Sequence, residues 1–341
     1  MRPAALDRPG GDAAALLSVR DLQVELRNWR GNVPAIRDVS FDIRPGEVLA
    51  IVGESGAGKS LTGSAIINLL VPPLELKGGE VWLDGARIDN LGARALEKVR
   101  GRHVGMVFQD PLTSLDPLFT VGDQLVETIR THLPMSEAQA RERAVGLLGE
   151  VGIPSPAERM GFYPHQFSGG MRQRIVIALA VCAGPRLLIA DEPTTALDVS
   201  VQAQIIALLR RMCREREMSV LLITHDMGVV AQLADRVAVM YAGRIVETGP
   251  VAEVIGRPRH PYAAALMDSI PSVASRRGRL KQIAGAMPRL NAIPPGCAFN
   301  PRCTLAQDRC RTERPPLERR GDREVACWFA DLTQGREVAL G

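Results

Sequence analysis

The sequence predicts an α/β fold: a mostly parallel core sheet, an antiparallel β edge layer, a helical subdomain and a small C-terminal cysteine-rich module. Three observations carry that expectation. Residues 48–52, 187–190 and 220–223 are short apolar runs without alternation, as suits parallel strands buried on both faces. Helical composition over residues 201–213 separates the last two, giving a β-α-β order. Four of the six cysteines fall within 31 residues near the C-terminus.

Taken along the chain, residues 1–15 are rich in Pro, Gly, Ala and Asp and read as a flexible leader. Short β-type runs over residues 17–43, parted by the turn-formers Arg30, Gly31 and Asn32, predict the antiparallel edge layer. After the strand at 48–52 comes a helix over 60–70, then short strands around Asp84-Gly85 and at 104–108. Residues 110–183 alternate loops with helical stretches, notably 136–151, and form the helical subdomain. β character resumes at 237–240 and 244–247 around Ala242-Gly243. The composition then changes, which divides the chain into residues 16–250 and a C-terminal extension over 251–341.

With 46% hydrophobic, 23% charged and 4% aromatic residues, the 341-residue chain matches a folded globular protein rather than a disordered one. Its most apolar stretch, residues 175–190, is interrupted by Gly184, Pro185 and Arg186 and is too short to cross a bilayer, so any membrane association is expected to be peripheral. The net charge of +4 is too small to argue for nucleic acid, and the basic patches lack interleaved aromatic residues; no nucleic-acid partner is expected. Residues 251–341 hold 15 Lys/Arg against 9 Asp/Glu, so the extension is the basic part. No apolar segment of secretory length opens the chain, and a reducing, cytosolic setting is expected.

The chemistry concentrates after the first buried strand. Gly53, Glu54, Ser55, Gly56, Ala57, Gly58, Lys59 and Ser60, followed by Leu61, match the Walker A phosphate loop in the strand-to-helix setting it requires. Glycines let backbone N–H groups turn toward phosphate oxygens, Lys59 neutralises β/γ charge, and the Ser60 hydroxyl suits Mg²⁺. Asp191 and Glu192 follow the run 187–190, at the carboxyl end of a strand where ligands of such sheets gather. Asp191 is read as the Mg²⁺ support and Glu192 as the group that polarises the attacking water. Taken alone the pair is equally a solvent-facing strand end.

These motifs, with others in the same order, resemble the nucleotide-binding subunits of ATP-binding-cassette (ABC) transporters, a P-loop NTPase family, over nearly the whole chain. Phe167, Ser168, Gly169, Gly170 and Met171 look like the family signature, with Phe167 in place of leucine and Met171 in place of glutamine. Gln109 matches the Q-loop, Ala196, Leu197 and Asp198 the D-loop, and His225 the switch histidine. The resemblance implies Glu192, His225 and Gln109 as catalytic residues. It implies Mg²⁺ held by Ser60, Gln109 and Asp191, and Trp29 as the adenine-stacking aromatic. Ser168 to Met171 are expected to close on ATP held by an opposite subunit, making the functional unit a dimer. A soluble ABC protein of DNA repair or translation is the rival reading; the chain shows neither long insertions nor a second cassette.

Beyond the cassette, Arg257, Pro258, Arg259, His260, Pro261 and Tyr262, and later Cys297, Cys303, Cys310 and Cys327, resemble the oligopeptide/dipeptide importer ATPases. That resemblance implies a [4Fe–4S] cluster on the four cysteines. A zinc site, two disulfides or uncommitted buried thiols remain alternatives, although the first two cysteine gaps exceed ordinary zinc spacing. It also implies a second, distinct ATPase paralogue, two transmembrane permease subunits and an extracytoplasmic substrate-binding protein as partners. Localisation would be peripheral, at the cytoplasmic face of the inner membrane. Peptides are the implied cargo; nickel, glutathione or another small solute is the alternative.

Overall fold

In the computed structural model, residues 15–29, 31–111, 113–195, 197–269 and 283–333 are described. The leader expected over 1–15 lies outside them except for Ala15, as do Ala196 and the Arg276-Arg277 patch.

Three strands with every residue buried form the middle of the molecule: β3 (Val48–Val52), β7 (Leu187–Asp191) and β8 (Ser219–Ile223). Alternation is missing because both faces of this parallel sheet are covered, one by helices and the other in large part by a second sheet. Each buried Val, Leu or Ile there contributes about 1.5–3 kcal/mol. Joined by β6 (Val104–Val107) and β9 (Arg236–Tyr241), they run parallel in the order β9-β3-β8-β7-β6. The one polar side chain starting β8 is satisfied: Ser219 Oγ accepts from Gly46 N and donates to Arg44 O, both at 2.9 Å.

A second, antiparallel sheet has the order β2-β1-β4-β5, from β1 (Leu17–Leu26), β2 (Val33–Ile43), β4 (Leu74–Leu83) and β5 (Ala86–Arg87). It is the edge layer expected from the sequence. Its inward residues, among them Leu17, Val19, Leu22, Val39 and Ile43, share a core with Leu49 and Ile51 of β3.

Eleven helices surround the sheets among the described residues. Two lie early, α1 (Lys59–Ile66) and α2 (Ala93–Val99). The helical subdomain holds α3 (Val121–His132), α4 (Glu137–Glu150), α5 (Pro156–Arg159) and α6 (Gly169–Val181). After it come α7 (Val199–Arg216), α8 (Met227–Leu233), α9 (Val251–Gly256), α10 (Pro261–Asp268) and α11 (Asp308–Thr312). Starts follow local capping. Ser136 and Gln139 make a reciprocal capping box on α4, and Asp198, through Oδ1 accepting from Val201 N at 2.9 Å, caps α7. None of these helices is long and apolar enough to cross a membrane.

The tail is built onto the main sheet. Strand β10 (Arg244–Pro250) pairs antiparallel with both β9 and β12 (Arg323–Val325), and β11 (Glu318–Arg320) pairs with β12, so the tail extends the main sheet. The reason is a buried polar joint. Glu247 of β10 accepts from Arg259 N and His260 N and faces Arg323 of β12 at 3.6 Å, where Arg323 donates to Glu253 O and Arg257 O. Phe299, Cys297 and Cys303 pack against the main core.

Candidate nucleotide site

An open cleft of ≈ 870 Å³ lies over the turn from β3 into α1. The turn is shaped by glycine at two positions. Gly53 has φ 154°, and a Cβ there would lie 2.3 Å from Met240 O; Gly58 caps α1 with φ 106°. The first turn of α1 holds no acidic residue, so its free N–H groups and partial positive charge favour an anion. Lys59 Nζ, buried, donates to Gly53 O at 2.9 Å and Glu54 O at 3.2 Å. Burial lowers its pKa, while Glu192 and Asp191 oppose that shift.

Ser60 Oγ donates to Asp191 Oδ1 at 2.9 Å, joining loop and strand β7. Burial pushes the Asp191 carboxyl up to about 6; Glu192 also raises it, and the Ser60 hydrogen bond only partly compensates. A hydroxyl and a carboxylate oxygen are the donors a hard cation takes, and a bound cation would relieve that burial cost. Among the described residues no group of three or more His, Cys, Asp or Glu can hold a metal ion. Mg²⁺ is ordinarily held by one or two carboxylates together with substrate phosphates, and Ser60 and Asp191 are the residues here that would take part.

Glu192 gathers the remaining polar groups. Its Oε2 accepts from Gln109 Nε2 at 3.1 Å and Thr195 Oγ1 at 2.8 Å, and its Oε1 lies 3.1 Å from His225 Nδ1. Burial alone would raise its pKa, yet the Thr195 and His225 hydrogen bonds and the nearby positive charges hold it below the usual carboxylate range. An ionised carboxylate at the mouth of a phosphate loop can accept a proton from water. Gln109, Glu192 and His225, distant in sequence, thus meet on one wall of the cleft. Thr195 was missed from sequence; its place three residues after Glu192 was the available signal.

Other candidates sit elsewhere. Ser168 caps α6, its Oγ accepting from Met171 N at 3.3 Å; Ser168, Gly169, Gly170 and Met171 do not line this cleft. Neither does Asp198. Trp29 stands on the turn between β1 and β2, 86% exposed, and is not among the cleft's lining residues. Ala35 of β2 takes that side of the cleft together with Leu266, Met287 and Leu290 from the C-terminal region.

The ABC transporter family model matches residues 36–195, and the model for the oligopeptide/dipeptide transporter C-terminal region matches residues 246–310. The dipeptide transport ATP-binding protein DppD of Bacillus subtilis is 47% identical over 96% of this chain and 98% of its own. The chain belongs to the ATP-binding subunits of ABC transporters. Within this family it is also similar to OppD of Bacillus subtilis, the oligopeptide transport ATP-binding protein (48%; 92% of this chain, 88% of that one), and to DppD of Escherichia coli (44%; 94% and 99%). Its fold is shared with the dimeric ATP-binding cassette MJ0796 bound to ADP and Pi, at TM-score 0.62 and 28% identity over 69% of this chain and 98% of that one. The architecture is that of an ATP-hydrolysing enzyme.

In this ABC ATPase the tail reaches the phosphate loop directly. Arg302 Nη1 and Nη2 donate to Glu54 Oε2 and Oε1 at 2.7 and 2.9 Å, and Glu54 N donates to the Tyr262 hydroxyl at 2.8 Å. Tyr241, Tyr262 and Phe299 pack in tilted and edge-on contacts between loop and tail, with ring centroids 4.6–5.4 Å apart. Beyond Phe299, Cys297, Cys303, Cys310 and Cys327 line one small cavity with His260 and Trp328. All four thiols are free. Burial first, then neighbouring cysteines, raises the thiols of Cys297 to about 11 and Cys327 to about 12, and shifts Cys303 upward.

Proposed function

We propose that this chain powers import of di- or oligopeptides by hydrolysing ATP, with the peptide passing through two separate transmembrane permease subunits fed by an extracytoplasmic binding protein. The observation that carries this is the union, in one chain, of an ABC nucleotide cleft with a C-terminal region of the oligopeptide/dipeptide transporter type. Placement would be peripheral, at the cytoplasmic face of the inner membrane.

In this reading the N–H groups of residues 53–60 and Lys59 hold the phosphates, which displace Lys59 Nζ from the loop carbonyls it now occupies. Ser60, Asp191 and Gln109 would hold Mg²⁺, which supplies charge neutralisation at the β- and γ-phosphates. Glu192, ionised and pinned by Thr195, Gln109 and His225, orients a water in line with the γ-phosphate and accepts its proton. His225 then contacts the γ-phosphate. The signature of a second ATPase, a distinct paralogue, completes the site, because Ser168, Gly169, Gly170 and Met171 of this chain lie outside its own cleft; Asp198 joins them at that junction. The division into residues 1–15, 16–250 and 251–341 is retained as a functional one.

The four cysteines that line one small cavity are the donor type a [4Fe–4S] cluster takes, with the thiols of Cys297, Cys303 and Cys327 raised by burial; among the described residues no group of three or more His, Cys, Asp or Glu is placed to hold a metal ion, so binding one would require the tail to draw the four together. Cys297, Cys303, Cys310 and Cys327 would be its ligands, and its contribution is to cross-link the tail.

The test of transport is reconstitution with the permeases and binding protein that co-purify with this chain from native membranes. ATP-dependent peptide uptake, lost in Lys59→Ala, is expected. Uptake of nickel chelate or glutathione without peptide would replace the cargo, and isolation with ribosomes or DNA ends instead of permeases would end the transport reading. Anaerobic reconstitution followed by iron, sulfide and zinc analysis tests the cysteines: four irons and four sulfides are expected, and one zinc without iron refutes the cluster.

A further inference from the structure

We infer that Arg302, from the C-terminal region, is a positioning residue for the phosphate loop: it neutralises and fixes a carboxylate, that of Glu54, which would otherwise repel the phosphates the loop receives. The inference rests on the nucleotide reading above and adds to it a residue that sets how strongly the cleft takes phosphate. Within residues 53–60 Glu54 is the single acidic residue and Lys59 the single basic one, so the loop by itself carries no net charge. Both line the cleft. A carboxylate in a cleft for a polyanion works against binding, and a partly buried charge is weakly screened. The tail supplies the missing counter-charge. Arg302 Nη1 and Nη2 donate to Glu54 Oε2 and Oε1 at 2.7 and 2.9 Å, a two-pronged pair in which the arginine side chain is 5% exposed and the glutamate 28%.

Arg302 is itself held in one place. Its Nε donates to Ala284 O at 2.8 Å, Nη1 also reaches the Tyr241 hydroxyl at 3.3 Å, and Nη2 reaches Ile283 O at 3.5 Å. With the two bonds to Glu54, every N–H of the guanidinium has an acceptor. The residue closes the 3-10 turn Asn300–Arg302, which Asn300 Nδ2 secures by donating to Pro295 O and Cys297 O at 3.1 and 2.8 Å. The Glu54 backbone is fixed from the same region: its N–H donates to the hydroxyl of the buried Tyr262 on α10 at 2.8 Å. Carboxylate and amide of Glu54 are thus both engaged by the tail, which leaves Lys59 and the N–H groups further along the loop to the phosphates. Arg302 acts through Glu54 and not by touching phosphate. A lysine in its place would keep the charge but lose the planar fork that grips both oxygens.

The experiment measures equilibrium binding of ATP and of inorganic tripolyphosphate, each with Mg²⁺, at low and at high salt. It compares the full chain with Arg302→Ala, Arg302→Lys and the double variant Arg302→Ala/Glu54→Gln. Arg302→Ala is expected to lose about tenfold in affinity for both probes, which present the same phosphates to the bared carboxylate, and the loss is expected to shrink at high salt as the repulsion is screened. Arg302→Lys is expected to lose about threefold or less, since the charge remains. The double variant, in which the repelling charge is gone, is expected to return to within about threefold of the unaltered chain. A residue that only kept the tail folded would not be rescued by a change in the loop. Full affinity in Arg302→Ala would overturn the inference, as would a loss that Glu54→Gln leaves in place, a loss indifferent to salt, or one confined to ATP. If the unaltered chain binds ATP and any of these outcomes is found, the role of Arg302 alone is wrong; if it binds neither probe, the phosphate-loop reading falls with it.

Discussion

Glu192 leaves β7 in the left-handed region, at φ 47°, a conformation that costs a non-glycine residue about 1–3 kcal/mol. The strain turns its carboxylate into the group of Gln109, Thr195 and His225, and its own N–H is satisfied by Ile223 O at 2.7 Å. Glu192→Gln is expected to keep ATP affinity while hydrolysis falls on the order of 10²–10⁴-fold, the worth of a general base. Equilibrium nucleotide binding beside single-turnover phosphate release checks this, and undiminished release would reassign the base. Asp191 sets a pH dependence. Its folded pKa of about 6 lies above the usual 3.8, so protons bind it more tightly in the folded chain. Through this group the nucleotide-free fold gains stability as pH falls through 6 and gives it up above. Magnesium requires the ionised form, so Mg²⁺-dependent ATP binding is expected to weaken as pH drops below about 6. Titration of affinity from pH 8 to 5 reads it, with Asp191→Asn flattening the profile.

At the scale of elements, the tail is held to the cassette by polar joints as well as by apolar packing. Arg323 of β12 is nearly fully buried and bonds to Glu253 O and Arg257 O beside Glu247. Removing it leaves a buried carboxylate without its counter-charge, at a cost of about 3 kcal/mol. Arg323→Ala is therefore expected to lower the unfolding midpoint in denaturant and to free β11 and β12 for amide exchange; unchanged exchange in these strands would refute the joint. Helix α6 shows a different economy. It begins at Ser168, exposed between the buried Phe167 and the half-buried Met171, an arrangement suited to an anion presented from outside the chain.

For the whole molecule, the distance between function and fold is set by which groups the chain brings together by itself. Lys59, Ser60, Asp191, Gln109, Glu192 and His225 converge within one chain, while Ser168 to Met171 stay apart. Ser168→Arg is therefore expected to leave ATP binding by this chain's own cleft intact and to abolish ATP-driven association with its ATPase partner. Nucleotide titration and size-exclusion light scattering with Glu192→Gln as reference distinguish the two effects. Loss of nucleotide binding in Ser168→Arg would place the signature in its own site.

Much of this was written in local pattern. The phosphate loop, the buried parallel strands and the Asp191-Glu192 pair were legible because each depends on neighbours in sequence: glycine at positive φ, a run of apolar residues, carboxylates at a strand end. Even the antiparallel edge layer followed from short β runs and a turn. Tertiary structure alone decided the rest. Trp29 is an aromatic at a plausible distance from the loop, and its exposed place on the turn between β1 and β2 is set by packing that no spacing encodes. Tyr262 and Arg302 fall in stretches that resemble the importer ATPases, but their contacts with Glu54, 208 and 248 residues away, could not be read from sequence. The tail's composition marked a boundary near residue 250, but that its strands continue the main sheet was decided by the edge of β10 and the buried Glu247, which β12 and Arg323 complete.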